Sequence, residues 1–472
     1  MAFDLVIIGG GAAGFSTAIK ATEITFGKAK IALINHGNLG GTCVNVGCVP
    51  SKYLLEGSNL YHYPPRKSYN GISFQAPSLD FREFMKGLRN FVASVRKRRY
   101  EDLIKEFDNI KLFPGKASFS SSSTVTVKYK GKSKRLKGKY FLIATGSRPI
   151  APPIEGLDEV GYLDSNTVWN LEELPGSMLV IGGGPIALEL GQAFQHLGTK
   201  VTIVEVLDRI LPNLDPDISK SIRHVLEREG INIITKARVS RLYRKGEKKV
   251  AEILTDKGKL GLEVDEVLVA TGRAPNTDGL NLDLVDVKMN KYGYISVDGW
   301  LRTSNRRVFA AGDVIDKGMK LETLAAKEGT VVADNIFGKH VKMDFTAVPF
   351  VIFTNPNVAI AGLSEREATK KYKACSCRVV PVSLTSKGRI LQEEDGYVKM
   401  VIHPTTRRIL GVHVVAHNAA EFITEASVAI KKRMTVEELI DTVHVFPTMA
   451  EALKLAALAF KRDVDRMPCC ME

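Results

Sequence analysis

Long apolar runs are missing from this 472-residue chain, and no uninterrupted stretch reaches the roughly 20 residues that a membrane-spanning helix needs. A secretory leader is not visible either. Met1 leads almost directly into a strand-like Leu5-Val6-Ile7-Ile8, which leaves no room for charged and apolar leader segments. A cytoplasmic location is therefore expected. Cysteine is scarce, six in all, which excludes a secreted disulfide scaffold in a chain of this size. Acids are outnumbered, 52 against 66 Lys and Arg, giving a formal net charge of +14. Nucleic-acid or acidic-membrane binding must then be weighed. The densest basic run, Arg96-Lys97-Arg98-Arg99, lies on a helix-like stretch, and no basic stripe is interleaved with aromatics. A solvated basic surface, with neither nucleic acid nor membrane as partner, is the better reading.

What is present begins with an echo. A strand–glycine–helix unit opens the chain (DLVIIGGGAAGFSTAIKA) and returns near residue 178 (MLVIGGGPIALELGQAF). A second echo follows each unit: YFLIATGS at 140–147 and EVLVATGR at 266–273. Two dinucleotide-binding α/β domains of similar build would produce this pattern, and the length asks for two to four domains. Proline-rich 151–153 marks the crossing between them, and Arg273-Ala274-Pro275-Asn276 the return. VFAAGDV at 308–314 reads as a strand entering a glycine turn, with a helix expected over 321–336. From about Pro349 the pattern changes to strands alternating with amphipathic helices, expected over 419–433, 435–441 and 449–461. That reads as a separate α+β domain. The expected boundaries are 1–150, 151–276, 277–348 (a return to the first domain) and 349–472.

Both glycine loops suit a pyrophosphate. In Gly9-Gly10-Gly11-Ala12-Ala13-Gly14, Gly9 permits the tight turn, Gly11 the close approach of phosphate, and Gly14 the packing of helix on strand. The acid expected at the end of the next strand is absent, and Asn35 stands there; an amide can still hydrogen-bond a ribose. The second loop, with Gly182, Gly184 and Ala187, is followed by a strand that does end in an acid, Glu205. A carboxylate there pairs with a free 2′-hydroxyl and repels a 2′-phosphate, which tilts the nicotinamide preference towards NADH over NADPH.

The most specific string is GGTCVNVGCVPSK, residues 40–52. Cys43 and Cys48 are five residues apart, about 8 Å in an undistorted helix and beyond disulfide reach. A bridge between them needs a helix that begins irregularly, which Gly47 permits and Pro50 supports. At a helix start, the dipole and the nearby Lys52 ammonium lower a thiol's pKa. The alternative is a static disulfide. Cys375-Ser376-Cys377 has no His or third Cys close in sequence and reads as an exposed stretch without function.

Over essentially its whole length the chain resembles the class I pyridine nucleotide–disulfide oxidoreductases. The resemblance implies two Rossmann-like domains, for FAD (1–150 with 277–348) and NAD(P)H (151–276), plus an α+β dimerisation domain. It implies that Cys43 is the exchange thiol and that Cys48 contacts the flavin. Lys52 would sit near the flavin and pair with Glu189, and Asp313 after Gly312 would bind the ribityl chain. Gly41 and Thr42 of the cysteine string, and Thr145, Gly146, Gly272 and Arg273 of the two ATG turns, would lie beside the cofactors.

Two features divide the members of that family. Those that reduce disulfides carry H-x-H-P-T-x-x-E, whose second His protonates the leaving thiolate; here His444-Val445-Phe446-Pro447-Thr448-Met449-Ala450-Glu451 puts Phe446 at that place. Phenylalanine transfers no proton. His444 would have to substitute from two residues away. The tail DVDRMPCCME resembles that of the family's mercury-reducing branch, which implies that Cys469 and Cys470 pass Hg(II) to Cys43 and Cys48 of the other subunit of a homodimer. Thiolates select such soft ions. Tyr100 matches a tyrosine beside the ion in that branch. A disulfide reductase of thioredoxin reductase or dihydrolipoamide dehydrogenase type is the alternative. A non-enzymatic basic scaffold binding metal or nucleic acid is the alternative of another class. Incidental tail cysteines and a Tyr100 that only packs are the plain readings of those residues.

Overall fold

The computed structural model describes residues 1–67 and 69–467. Ala2–Ile8 is strand, and its Leu5, Val6, Ile7 and Ile8 are all buried, the unbroken apolar run of a strand covered on both faces. It lies between two parallel neighbours, Ile31–Asn35 and Lys132–Ile143, with Leu5 paired to Ile31 on one side and to Tyr140 on the other. Ile110–Pro114 extends the sheet beyond Ile31–Asn35, and Val308–Ala310 returns to pair in parallel with the end of Lys132–Ile143. The basic, exposed first half of Lys132–Ile143 instead pairs antiparallel with Thr124–Tyr129, followed by Lys116–Ser121. One strand thus serves both a buried parallel sheet and a solvated antiparallel ribbon.

Helices Ala12–Ile24 and Glu322–Phe337 cross tightly on this sheet. The Thr17 hydroxyl bonds the carbonyls of Ala13, at 2.7 Å, and Gly329, at 2.9 Å.

A second parallel sheet has the order Asn232–Ile234, Lys200–Val204, Ser177–Ile181, Glu266–Val269. A three-stranded antiparallel sheet, Arg238–Lys245, Lys248–Thr255 and Gly258–Val264, accompanies it. Ser147–Pro149 and Arg273–Pro275 pair as a two-stranded ribbon where the chain leaves the first sheet and comes back. The last sheet is antiparallel throughout: Phe350–Ile352, Asn357–Gly362, Ile409–Ala416, Tyr397–Ile402 and Ser376–Pro381. Helix Ala419–Lys432 buries Phe422, Ile423 and Ala426 in that domain's core.

The C-terminal helices are shorter than their apolar spacing suggests. Thr435 caps Val436–Asp441 in a reciprocal box with Glu438, and Glu451–Leu458 starts two residues late. Among the described residues no helix is long and apolar enough to cross a membrane.

Candidate functional site: a thiol pair between two glycine loops

The echo between the halves has a physical basis. Gly9 has φ +122°, and a Cβ there would fall 2.1 Å from the carbonyl oxygen of Ala144. Gly182 has φ +110°, and its Cβ would fall 2.5 Å from that of Ala270. Each loop is pressed against the ATG turn of its own sheet, so the two motifs recur together.

Asn35 and Glu205 also take equivalent places. The Gly10 N–H donates to Asn35 Oδ1 at 3.0 Å, and the Gly183 N–H donates to Glu205 Oε2 at 2.6 Å. The other end of each side chain is also engaged: Asn35 Nδ2 donates to the Gly37 carbonyl at 2.9 Å, and Glu205 Oε1 accepts from Leu207 N–H at 2.8 Å. An amide oxygen replaces a carboxylate oxygen at one loop, which accounts for the acid missing from the first unit.

Helices Ala12–Ile24 and Pro185–Leu197 begin with no side-chain cap and no acid in the first turn. Their N–H groups and dipoles are left to an anion. The cradles fit dinucleotides. A Cβ on Gly41 would come 2.8 Å from Gly11 Cα, the space beside Gly184 is open, and Ala187 is buried beneath its loop. Gly14 is tighter, since a Cβ there would lie 1.9 Å from Gly9 O.

Gly312 abuts Ala13 and brings Asp313 to the first loop, where Asp313 Oδ2 accepts from the Ser147 hydroxyl at 2.6 Å. The Gly312 N–H donates to Glu328, whose carboxyl burial pushes up to about 7. Arg273 follows Gly272 but points back to Ser147, donating to its hydroxyl at 2.8 Å and its carbonyl at 2.7 Å. Thr145 and Gly146 are tied to Asn276 across the same crossing.

The cysteines lie on either side of a helix break. Gly41 and Thr42 open the short helix Gly41–Val46, which carries Cys43; Cys48 is the first residue of Cys48–His62. Gly47 separates them, and a side chain there would press within 3.0 Å of Thr42 O and 3.2 Å of Cys43 Cα. The Cys43 thiol donates to Cys48, which lowers the Cys48 pKa; the Lys52 ammonium adds to this against burial, Glu322 and Glu189. Cys43 is correspondingly held above its ordinary value. A helix start stabilises a thiolate at the same place.

Lys52 Nζ lies 2.7 Å from Glu189 Oε2 and 4.3 Å from the centre of the Phe353 ring. Glu189 Oε1 accepts from the Phe353 N–H at 2.8 Å. Tyr100 sits in a π-helical stretch, Lys97–Asp102, that follows helix Phe81–Arg96. Its ring meets the edge of Phe15 at 4.8 Å, and burial with Glu322, Cys43 and Cys48 pushes its phenol up to about 12. Tyr100 therefore packs and also adjoins the thiols. Glu322 and Phe353 gave no sequence signal, because each reaches the site only through the tertiary fold, whereas Ser147 closes the first ATG string.

The C-terminal string carries Phe446 where the resemblance led one to expect a proton donor. Phe446 is 46% exposed. His444 Nε2 lies 2.8 Å from Glu425 Oε1 and its Nδ1 2.9 Å from the Thr442 carbonyl, so both ring nitrogens are occupied. The Glu425 carboxylate raises its pKa. Glu451 Oε2 is buried without a hydrogen-bond partner among the described residues, and burial raises its carboxyl pKa. Cys469 and Cys470 lie outside the described residues.

Residues 3–329 match the pyridine nucleotide-disulphide oxidoreductase family and residues 348–457 its dimerisation domain. The chain belongs to this family. It is 41% identical over 469 residues to a mercuric reductase of Lysinibacillus sphaericus, covering 99% of this chain and 84% of that one. It is 38% identical to one of Streptomyces lividans, covering 99% and 98%. The HOCl-induced flavoprotein disulfide reductase RclA from Escherichia coli has a similar structure, with TM-score 0.85, 27% identity, and 97% and 100% of the chains covered. The family's cofactors are FAD and NAD(P)H, and this chain is an oxidoreductase built for them.

Proposed function

We propose that this protein is a homodimeric, cytoplasmic mercury(II) reductase acting through Cys43 and Cys48. Residues 1–150 with 277–348 form its FAD-binding domain, 151–276 its NAD(P)H-binding domain and 349–472 its dimer interface. The Gly9–Gly14 loop, Asn35 and Asp313 hold FAD; the Gly182–Ala187 loop and Glu205 hold the nicotinamide dinucleotide, NADH before NADPH. Held there, FAD would supply the two-electron link between the nicotinamide's hydride and the thiol pair.

Cys48, with its lowered pKa, and Cys43 bind Hg(II) as two thiolates, and the bound ion takes up the two electrons. Hg(0) departs and both thiolates stay behind. Per turnover NAD(P)H and Hg(II) give NAD(P)⁺, H⁺ and Hg(0), so no leaving group needs a proton. Lys52 and Glu189 hold the thiolate side of the site in register. Cys469 and Cys470 of the partner subunit deliver the ion.

The observation that carries this reading is the thiol pair across Gly47 in a chain that holds Phe446 at the expected donor position and whose Glu451 Oε2 has no hydrogen-bond partner among the described residues. RclA favours a second reading, disulfide reduction, by likeness of fold. NAD(P)H oxidation by the holoenzyme decides between them. Hg(II) supplied as a thiol complex drives turnover, and lipoamide or thioredoxin does not. Replacing Cys469 and Cys470 by Ala lowers mercury turnover at least tenfold while flavin content stays normal. Turnover with a disulfide and none with mercury reverses the choice.

A further inference from the structure

The fold brings an acid and two thiols together far along the chain from the redox pair. Ser364 caps helix Glu365–Tyr372, and Lys373, with φ +67°, turns the chain back into strand Ser376–Pro381. Cys375 and Cys377 are two residues apart where this strand begins, and extended backbone puts them on one face. Their sulfurs are 3.7 Å apart, and both residues are half-buried. The ligand atoms of Glu365, Cys375 and Cys377 all lie within 4.8 Å of one another. The acid was invisible in the sequence because the turn at Lys373 is what folds it back over the thiols.

We propose that Glu365, Cys375 and Cys377 form a second metal site, for one zinc-class divalent ion held by two thiolates and a carboxylate. The sulfur spacing selects the class. An ion about 2.3 Å from each sulfur subtends about 107° across 3.7 Å, close to the tetrahedral angle of zinc–thiolate sites. A linear two-coordinate ion with bonds of that length needs the sulfurs about 4.6 Å apart. This pair is set for a tetrahedral ion, with the fourth position open to water.

The surroundings suit the exchange. Lys399 Nζ lies 2.8 Å from Glu365 Oε2, and also 3.2 Å from Asp217 and 3.4 Å from Asp215. Glu365 can turn to an ion and leave that ammonium paired. Two thiolates and one carboxylate around a divalent ion leave one net negative charge, while Lys399 stays with Asp215 and Asp217. The Thr369 hydroxyl, 3.2 Å from Cys375 Sγ, and the Glu365 carbonyl, 3.7 Å from it, orient that thiol. Binding releases the two thiol protons. The site stands whether or not the chain reduces mercury.

Metal-free, fully reduced holoenzyme is dialysed to equilibrium against Zn(II), alongside Cys375→Ser/Cys377→Ser and Glu365→Ala variants. The unaltered protein binds one equivalent more than the double variant, and Glu365→Ala weakens that equivalent at least tenfold. Co(II) in its place gives tetrahedral bands to the red of the flavin spectrum, absent from the double variant. Flavin content and turnover are the same in all three proteins. Equal zinc binding by the unaltered protein and the double variant overturns the proposal. So does a reduced protein without affinity for zinc at these two thiols, whatever disulfide they form on oxidation. Should the double variant fail to fold, Glu365→Ala, altered at an exposed side chain, decides by the same binding measurement.

Discussion

Replacing Lys52 by Met would separate two roles of that ammonium, which pairs with Glu189 and lowers the Cys48 pKa. Its side chain is 32% exposed and that of Glu189 10%, so the pair sits at the boundary of the interior. Exposed pairs contribute about 0–1 kcal/mol, whereas stripping one partner from a buried pair costs about 3–5 kcal/mol. A loss of about 2 kcal/mol is expected for Lys52→Met, measured as a lower denaturant midpoint at unchanged slope. Lys52→Met/Glu189→Gln should recover most of it, because the amide can still accept the Phe353 N–H without a buried charge.

The thiol responds differently. Without the cation the Cys48 thiolate loses support, so the midpoint of its alkylation by iodoacetamide moves to higher pH in both variants, by less in the double variant, where loss of the Glu189 charge partly offsets it. Glu189→Gln alone removes a charge that raises the Cys48 pKa, so its midpoint moves to lower pH. Stability that recovers in the double variant while the alkylation midpoint stays high would establish the two roles. An alkylation profile unchanged by Lys52→Met would refute the assignment of Lys52 to the thiolate.

Gly182→Ala, with a Cβ forced to 2.5 Å from Ala270 O at φ +110°, should weaken nicotinamide binding at least tenfold while flavin content stays normal, by fluorescence titration. Glu328 starts from an ordinary value of 4.5 and is raised to about 7, so its contribution to stability is full below about 4.5 and lost as pH rises through about 7. Glu328→Gln should remove that pH dependence, worth about 3 kcal/mol, in unfolding measured between pH 5 and 8. Phe446→His would place an imidazole at the donor position, with Glu451 to back it. Disulfide turnover should rise at least about 100-fold, with mercury turnover unchanged within a factor of three.

The features legible in the sequence were those written locally. A glycine loop between a strand and a helix needs about twenty neighbouring residues to be read, and so does a cysteine string with Gly47 inside it. Both duplicated units and the sheets they head follow from such runs. The residues that tune the site were not legible. Glu322 lies some 270 residues beyond the thiols and looks like any acid at a helix start. Asn35 looked like a defect because an acid is the habitual partner of that loop, although the Gly10 N–H requires only an oxygen. Cys375 and Cys377 looked inert because their acid returns to them through a reversal at a single left-handed residue. Helix ends in the last domain were misplaced: Thr435 caps Val436–Asp441 instead of opening it, and Glu451–Leu458 is two residues shorter at its start and three at its end than the apolar spacing implied.

The interruption at Gly47 frees the two sulfurs from the pitch of any single helix. Because each rides on its own segment, a small tilt of one against the other alters their separation without unwinding either. The same scaffold can then close a bond about 2 Å long or open around an ion. A continuous helix would fix that gap once; two short ones joined at a glycine make it adjustable.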